Sequence, residues 1–305
     1  MPDASKSAVT GVSGFTGRHI ARRLLASGKG VVNLTGHPDR PTDFGEQVTS
    51  APFNFDDPDA LRKSLEGVDT LYNTYWIRFA HGDMTFEKAV ANSAALISAA
   101  KDAGVRRIVH VSITNPAESS PLPYFSGKAR VEKLIRESGL SYAVLRPAVI
   151  FGNQGILINN IAWFLRRLPV FAVPGDGEYE LQPIFVEDLA DLAVEHGRGE
   201  GNIVLDAVGP EVYSLNDLVR LIGQVVHSRT IVVHVNPQLA LIGTGLMGRA
   251  LKDVVLTRDE VEGLRANLLV SSAPPTGRTR LSDWLRQNAE WIGREYMSEL
   301  GRHYP

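Results

Sequence analysis

The sequence predicts an α/β fold: a doubly wound parallel sheet with a smaller C-terminal lobe. Three observations carry this. Near the N-terminus an apolar strand runs straight into three glycines and an amphipathic helix. Strand-like and helix-like segments then alternate up to about residue 150. Most of the helical segments close on a glycine, at Gly28, Gly67, Gly104 and Gly139. Such alternation argues for parallel strands joined by right-handed helical crossovers.

The first strand, Ser7 to Thr10, enters Gly11, Gly14 and Gly17, and the helix that follows puts Ile20, Leu24 and Leu25 on one face. Val31 to Thr35 reads as the second strand and Gln47 to Phe53 as a weaker third. Asp57 caps a helix with Pro58 at its first position. Thr70 to Tyr75 is the fourth strand, followed by Trp76 and a long helix, Phe86 to Ala103. Arg107 to Ile113 is the fifth strand. A Pro- and Ser-rich loop leads to a helix from Tyr124 to Ser138, and Tyr142 to Arg146 is the sixth strand, stopped by Pro147.

Beyond residue 150 the alternation loosens. Asn159 to Arg167 reads as a helix, Leu168 to Gly177 as an apolar loop, and Val186 to Val194 as a helix. Asn202 to Ala207 is a strand and Ser214 to Val226 a helix. Residues 5–153, completed by about 181–208, are expected to form a dinucleotide-binding core. Residues 154–180 and 209–305 are expected to form the smaller substrate or partner lobe, closing over the sheet edge.

Composition narrows the partners. A net charge of -2 over 305 residues implies no nucleic-acid partner, and the absence of cysteine excludes disulfides and thiolate chemistry. Met1 to Lys6 is polar, without the apolar core of a signal peptide. The longest apolar run, Leu239 to Met247, is far short of the roughly 20 residues that span a bilayer. A cytoplasmic protein acting on a small molecule is the expectation. No His/Asp/Glu spacing suits a metal, and oligomeric state is not legible.

The glycine turn is the first candidate site. A helix start offers free N–H groups and the positive end of a dipole to a pyrophosphate. The spacing is G-x-x-G-x-x-G, not the G-x-G-x-x-G of the dehydrogenase fingerprint, so a purely structural turn remains an alternative. Where an NAD site offers a carboxylate to the ribose, this chain has Thr35, with His37 and Arg40 close by. That favours NADP over NAD, although both bases also read as ordinary loop residues. The second candidate is Tyr124 with Lys128, four residues apart and therefore on one helix face. An ammonium beside a phenol favours the phenolate and suits it to acid/base work.

Several motifs together resemble the short-chain dehydrogenase/reductase superfamily in its extended or atypical branch. They are Thr10 to Gly17, Gly67-Val-Asp69, Ala99 to Val105, Val109-His-Val-Ser112, Tyr124 to Lys128, Leu145-Arg-Pro147 with Phe151-Gly152, and Phe185-Val-Glu-Asp188. The likeness covers the first 210 residues or so. Within that branch the chain is similar to NmrA-like proteins and to the Rossmann-fold accessory subunit of respiratory complex I.

The resemblance implies a Rossmann fold and a nicotinamide cofactor. It implies that Gly11, Gly14 and Gly17 hold the pyrophosphate, with Ser13, Phe15 and Thr16 also binding the cofactor. Thr35, His37 and Arg40 stay the candidates for a 2′-phosphate, Asn54 would touch the adenine, and Phe55 would lie at the cofactor. Thr74 and Tyr75 would line the cofactor, with Pro147 and Ile150 at the carboxamide. Tyr124 would be the acid/base, and Lys128 would bind the nicotinamide ribose and lower the Tyr pKa. Two departures stand out. Ile113 occupies the place of the usual catalytic hydroxyl, leaving Ser112 or Thr114 to substitute. Tyr75 and Trp76 are bulky where the family has small residues; they either stack on a ligand or are core aromatics. Two functions follow: an NAD(P)-dependent oxidoreductase or epimerase, or a non-catalytic redox sensor or structural subunit.

Overall fold

The computed structural model describes residues 5–303. Of the polar N-terminal segment, Met1 to Ala4 lie outside that range. The chain divides into two compact units: residues 1–146 with 186–206, and residues 147–185 with 207–305.

The first unit begins with β1 (Lys6–Thr10), α1 (Phe15–Ala26), β2 (Gly30–Thr35), β3 (Val48–Pro52) and α2 (Pro58–Ser64). It continues with β4 (Val68–Asn73), α3 (Phe86–Asp102), β5 (Arg107–Val111), α4 (Pro123–Glu137) and β6 (Ser141–Pro147). After β6 come β7 (Ile150–Phe151), α5 (Ile156–Arg167), β8 (Val170–Pro174), β9 (Glu180–Leu181) and β10 (Ile184–Phe185), all in the second unit. The chain then returns with α6 (Val186–Gly197) and β11 (Ile203–Ala207).

Strands β1 to β6 and β11 form a seven-stranded parallel sheet in the order β11-β6-β5-β4-β1-β2-β3. Helix α1 packs on α6, and α3 packs on α2 and α4, the two layers of a doubly wound sheet. Its interior is aliphatic, with Ala8, Leu34, Leu71 and Ile108 of the strands against Leu61, Leu96, Val131 and Ile135 of the helices. The strand order reverses between β1 and β4, so the crevice at their carboxyl ends is where such sheets bind ligands.

The second unit holds the remaining elements. They are β12 (Tyr213–Ser214), α7 (Leu215–Val225), β13 (Ile231–Val235), α8 (Pro237–Leu251), α9 (Arg258–Arg265), α10 (Leu281–Gln287) and α11 (Glu299–His303). Its core gathers Phe151, Ile158, Ile161, Leu165, Leu218, Ile222, Trp284 and Ile292. Leu168 to Gly177, expected as a loop, contains β8, which pairs in parallel with β13. Pro169 and Pro174 bracket this strand and hide it, and its partner comes much later in the sequence. The apolar run Leu239 to Met247 lies within α8. Among the described residues no helix is long and apolar enough to cross a membrane.

Candidate functional site

The turn after β1 is built for close backbone approach. Gly11 has φ +68°, a conformation that disfavours any Cβ. A Cβ on Gly17 would lie 2.3 Å from the Gly11 carbonyl oxygen, and one on Gly14 would lie 3.0 Å from it. Gly17 therefore lets α1 sit against the end of β1. Gly14 is the N-cap of α1 and gives no side-chain cap, and no acid occupies the first turn. The helix dipole and its leading N–H groups are thus left for an outside anion. Ser13 is exposed, and Phe15 and Thr16 are half-buried beside it.

Two features of this turn were missed from the sequence. Val12 N–H donates to Asn33 Oδ1 at 2.9 Å, and Asn33 Nδ2 donates to Ser50 Oγ at 3.1 Å, so buried Asn33 pins the turn from β2. Arg18 carries its guanidinium to Asp43, 3.1 Å away in the segment after β2. A basic residue directly after the third glycine was the available signal for Arg18. Thr35 ends β2 and accepts a hydrogen bond from His37 N–H at 3.2 Å. His37 and Arg40 are both exposed in the turn that follows.

Aromatic residues gather beyond β3 and β4. Phe53 and Phe55 stack at 5.0 Å, and both tilt against Tyr75, at 5.6 and 5.2 Å. Asn54 lies between the two phenylalanines in sequence and is half-buried. Tyr75 is fixed by Asn92 of α3, whose Nδ2 donates to the Tyr75 hydroxyl at 2.8 Å. Thr74 clamps the ends of β4 and β1 together: its N–H donates to Thr10 Oγ1 and its hydroxyl to Thr10 O, both at 2.6 Å.

Tyr124 and Lys128 both meet Trp76. The Tyr124 ring stands edge-on to Trp76 at 6.0 Å and to Phe86 at 6.1 Å. Lys128 Nζ lies 4.9 Å from the centre of the Trp76 ring and donates to Val111 O at 2.7 Å. Gly127 makes room for the indole, since a Cβ there would lie 2.9 Å from it. Burial lowers the Lys128 pKa from 10.5 to about 7, with Glu132 opposing. Trp76 Nε1 is buried with no hydrogen-bond partner. His110, fully buried behind this group, is held well below its ordinary pKa by burial and by the Lys128 charge.

Ser112 faces the other way. Its hydroxyl donates to Glu132 Oε1 at 2.6 Å. Glu132 is fully buried and also receives Arg146, at 2.9 and 2.6 Å, and Arg136, at 2.7 Å. Ile113 and Thr114 are buried. The structure therefore brings Tyr124, Lys128 and Trp76 together, and ties Ser112 into an ionic network under α4. Pro147 closes β6, Ile150 pairs with Ile184 of β10, and both belong to the second unit. Among the described residues no group of three His, Asp or Glu is placed to hold a metal ion.

Residues 11–158 match the model of the NAD(P)H-binding family. The mouse protein NADH dehydrogenase (ubiquinone) 1 alpha subcomplex subunit 9 is 27% identical over 286 residues, 90% of this chain and 74% of that protein. The Arabidopsis thaliana counterpart is 25% identical, and the alignment spans only 56% of its length. A nucleoside-diphosphate-sugar epimerase from Staphylococcus aureus superposes with a TM-score of 0.74 at 17% identity, over 92% of this chain and 99% of that one. An Escherichia coli NADPH-dependent quinone oxidoreductase complexed with NADPH gives 0.73 at 19% identity, over the same 92% and 99%. The two structural likenesses establish a common fold.

Proposed function

Given an NAD(P)-binding domain homologous to the complex I subunit 9 proteins, we propose that the chain binds NADP(H) on the turn between β1 and α1. We propose further that it is an oxidoreductase of low turnover. The observation that carries the binding step is the uncapped start of α1, with a Gly17 that has no room for a Cβ. That cradle fits a pyrophosphate.

On this reading the N–H groups from Gly11 to Gly17, with Ser13, Phe15 and Thr16, hold the pyrophosphate. Asn54 and Phe55 take the adenine, and Thr74 and Tyr75 border the cofactor further along. Thr35 in place of a carboxylate, together with His37, Arg40 and Arg18, favours a 2′-phosphate. Asp43 competes for Arg18 and must release it. The nicotinamide, when bound, supplies or accepts hydride. Tyr124 gives its phenolic proton to the carbonyl oxygen of a small-molecule substrate, and Lys128 orients the ribose. Ser112 is committed to Glu132 and Thr114 is buried, so a second hydrogen bond to that oxygen falls to water. Nothing in the reading requires nucleic acid or a membrane.

Calorimetry with NADPH and NADH tests the first part; no binding of either would sink it. NADPH oxidation against carbonyl compounds, quinones and nucleotide sugars tests the second. Tyr124→Phe should cut turnover about 10²-fold or more with little loss of cofactor affinity. Equal rates would remove Tyr124 as the acid.

Specific observations also favour a non-catalytic sensor or structural subunit. Ser112 is committed to Glu132, Ile113 replaces the family hydroxyl, and Trp76 covers Lys128. Tight NADPH binding without turnover of any substrate would select this reading.

A further inference from the structure

We propose that Arg166, Arg167 and Arg294 form a binding site for a phosphate-bearing small molecule, on residues the function proposed above does not use. The three line one open cavity of about 340 Å³ in the second unit.

The site follows from how the chain after α10 returns along α5. Gly293 has φ +71°, and a Cβ there would lie 2.5 Å from Ala162 C and Trp163 N, so only glycine allows this approach. Asn159 accepts from Gly293 N–H at 3.0 Å and donates to Glu295 O at 2.8 Å. Asn160 exchanges hydrogen bonds with the Met297 backbone, at 2.9 Å each. The returning segment is thereby fixed on α5.

That segment presents carbonyls to the guanidinium groups. Arg166 donates to Ile292 O at 2.9 Å and Ala289 O at 2.6 Å. Arg167 donates to Gly293 O at 2.8 Å and to Arg294 O, and lies 4.7 Å over the Trp163 ring. Arg294 donates through Nε to Glu290 O. All these partners are neutral. Among the described residues no carboxylate pairs with any of the three. Other arginines of the same unit do find acids: Arg220 pairs with Asp217, Arg280 with Glu211 and Arg286 with Asp283. Burial, then the charges of Arg294 and Arg167, lower the Arg166 pKa from its ordinary value.

Arg167 and Arg294 are exposed and Arg166 is half-buried, so water screens the repulsion of the three charges only in part, and an anion in the cavity would relieve it further. Capping the carbonyls accounts for individual bonds, but not for this convergence without a counter-charge. Neither Nη1 nor Nη2 of Arg294, nor Nη1 of Arg166, donates to another described residue. These forks suit the several oxygens of a phosphate, which guanidinium groups bind through paired, charge-assisted hydrogen bonds. A single carboxylate would balance only one of the three charges.

The test uses the full chain labelled with 15N-tryptophan. The Trp163 indole resonance, assigned from Trp163→Phe, reports beside Arg167. Inorganic phosphate and AMP are titrated separately, with sodium chloride at matched ionic strength as control. We expect a saturable shift with phosphate, AMP or both, and none with chloride. The tighter of the two tells free phosphate from a phosphorylated metabolite. Arg294→Gln should weaken binding about tenfold or more, the loss expected for charged hydrogen bonds. If that variant does not fold, Arg294→Lys keeps the charge and should still weaken binding. Gly17→Ala should titrate as wild type, which separates this site from the dinucleotide turn. An equal response to chloride, or unaltered titration in a folded Arg294 variant, overturns the proposal.

Discussion

Lys128 is 3% exposed and has its pKa lowered from 10.5 to about 7. Replacing it with Met should therefore change how stability depends on pH. Between about pH 7 and pH 10.4 the unfolded chain holds this proton and the native chain does not. The unfolded state then binds more protons, so wild-type stability rises with pH across that window. The cost of burying the ammonium is fully present below about pH 7 and is gone above the unfolded pKa. The fall from 10.5 to about 7 is worth about 5 kcal/mol at 1.36 kcal/mol per pH unit. Lys128→Met removes that cost but leaves Val111 O without its donor, which costs about 1–3 kcal/mol. The variant should be about 2–4 kcal/mol more stable than wild type at pH 7 and less stable by pH 10. The difference should shrink by about 1.4 kcal/mol per pH unit from pH 7.5 to 9.5. Urea unfolding of both proteins at half-unit pH intervals reads it directly. Parallel stability curves would refute a buried, depressed lysine. The same titration means that any turnover depending on the Lys128 ammonium should fall above neutral pH.

Gly17→Ala places its Cβ 2.3 Å from Gly11 O, so the turn must shift, and dinucleotide affinity by calorimetry should drop about 100-fold. Arg18→Ala should weaken NADPH about tenfold and leave NADH unchanged; equal loss for both would make Arg18 a partner of Asp43 only. Glu132→Gln leaves Arg146 without its buried carboxylate and should cost about 3–5 kcal/mol in thermal or urea unfolding.

The sheet was legible because each strand and helix carries its own pattern. The run from Ser7 to Leu25 specifies a strand, a turn and a helix from adjacent residues, and the helix spacing alone puts Tyr124 and Lys128 on one face. What escaped was long-range. Asn33 holds Val12 from another strand, and nothing near Gly11 announces it. The packing of Trp76 on Gly127 and Lys128 joins the segment after β4 to α4, parts far apart in the chain. Strand β8 exists because β13 completes it, so the local pattern between Pro169 and Pro174 could not define it.

The fate of Ser112 follows from the same distinction. As a sequence position it is a candidate hydroxyl beside the missing family Ser; in the fold it is one of the donors to a buried carboxylate. Withdrawing it toward a substrate would leave Glu132 to the two arginines alone, at the cost of a charge-assisted bond of about 1.5–3 kcal/mol. Thr114 is fully buried, and Lys128 is covered by the Trp76 ring. Of the four residues with which chemistry was expected, Tyr124 is the half-buried one. On the oxidoreductase reading, then, a substrate oxygen meets one protein hydroxyl instead of two. A carbonyl that needs strong polarisation before it accepts hydride is poorly served by such a site. A quinone gains aromaticity on reduction and needs less assistance, so within the substrate panel quinones should be reduced faster than simple ketones or nucleotide sugars.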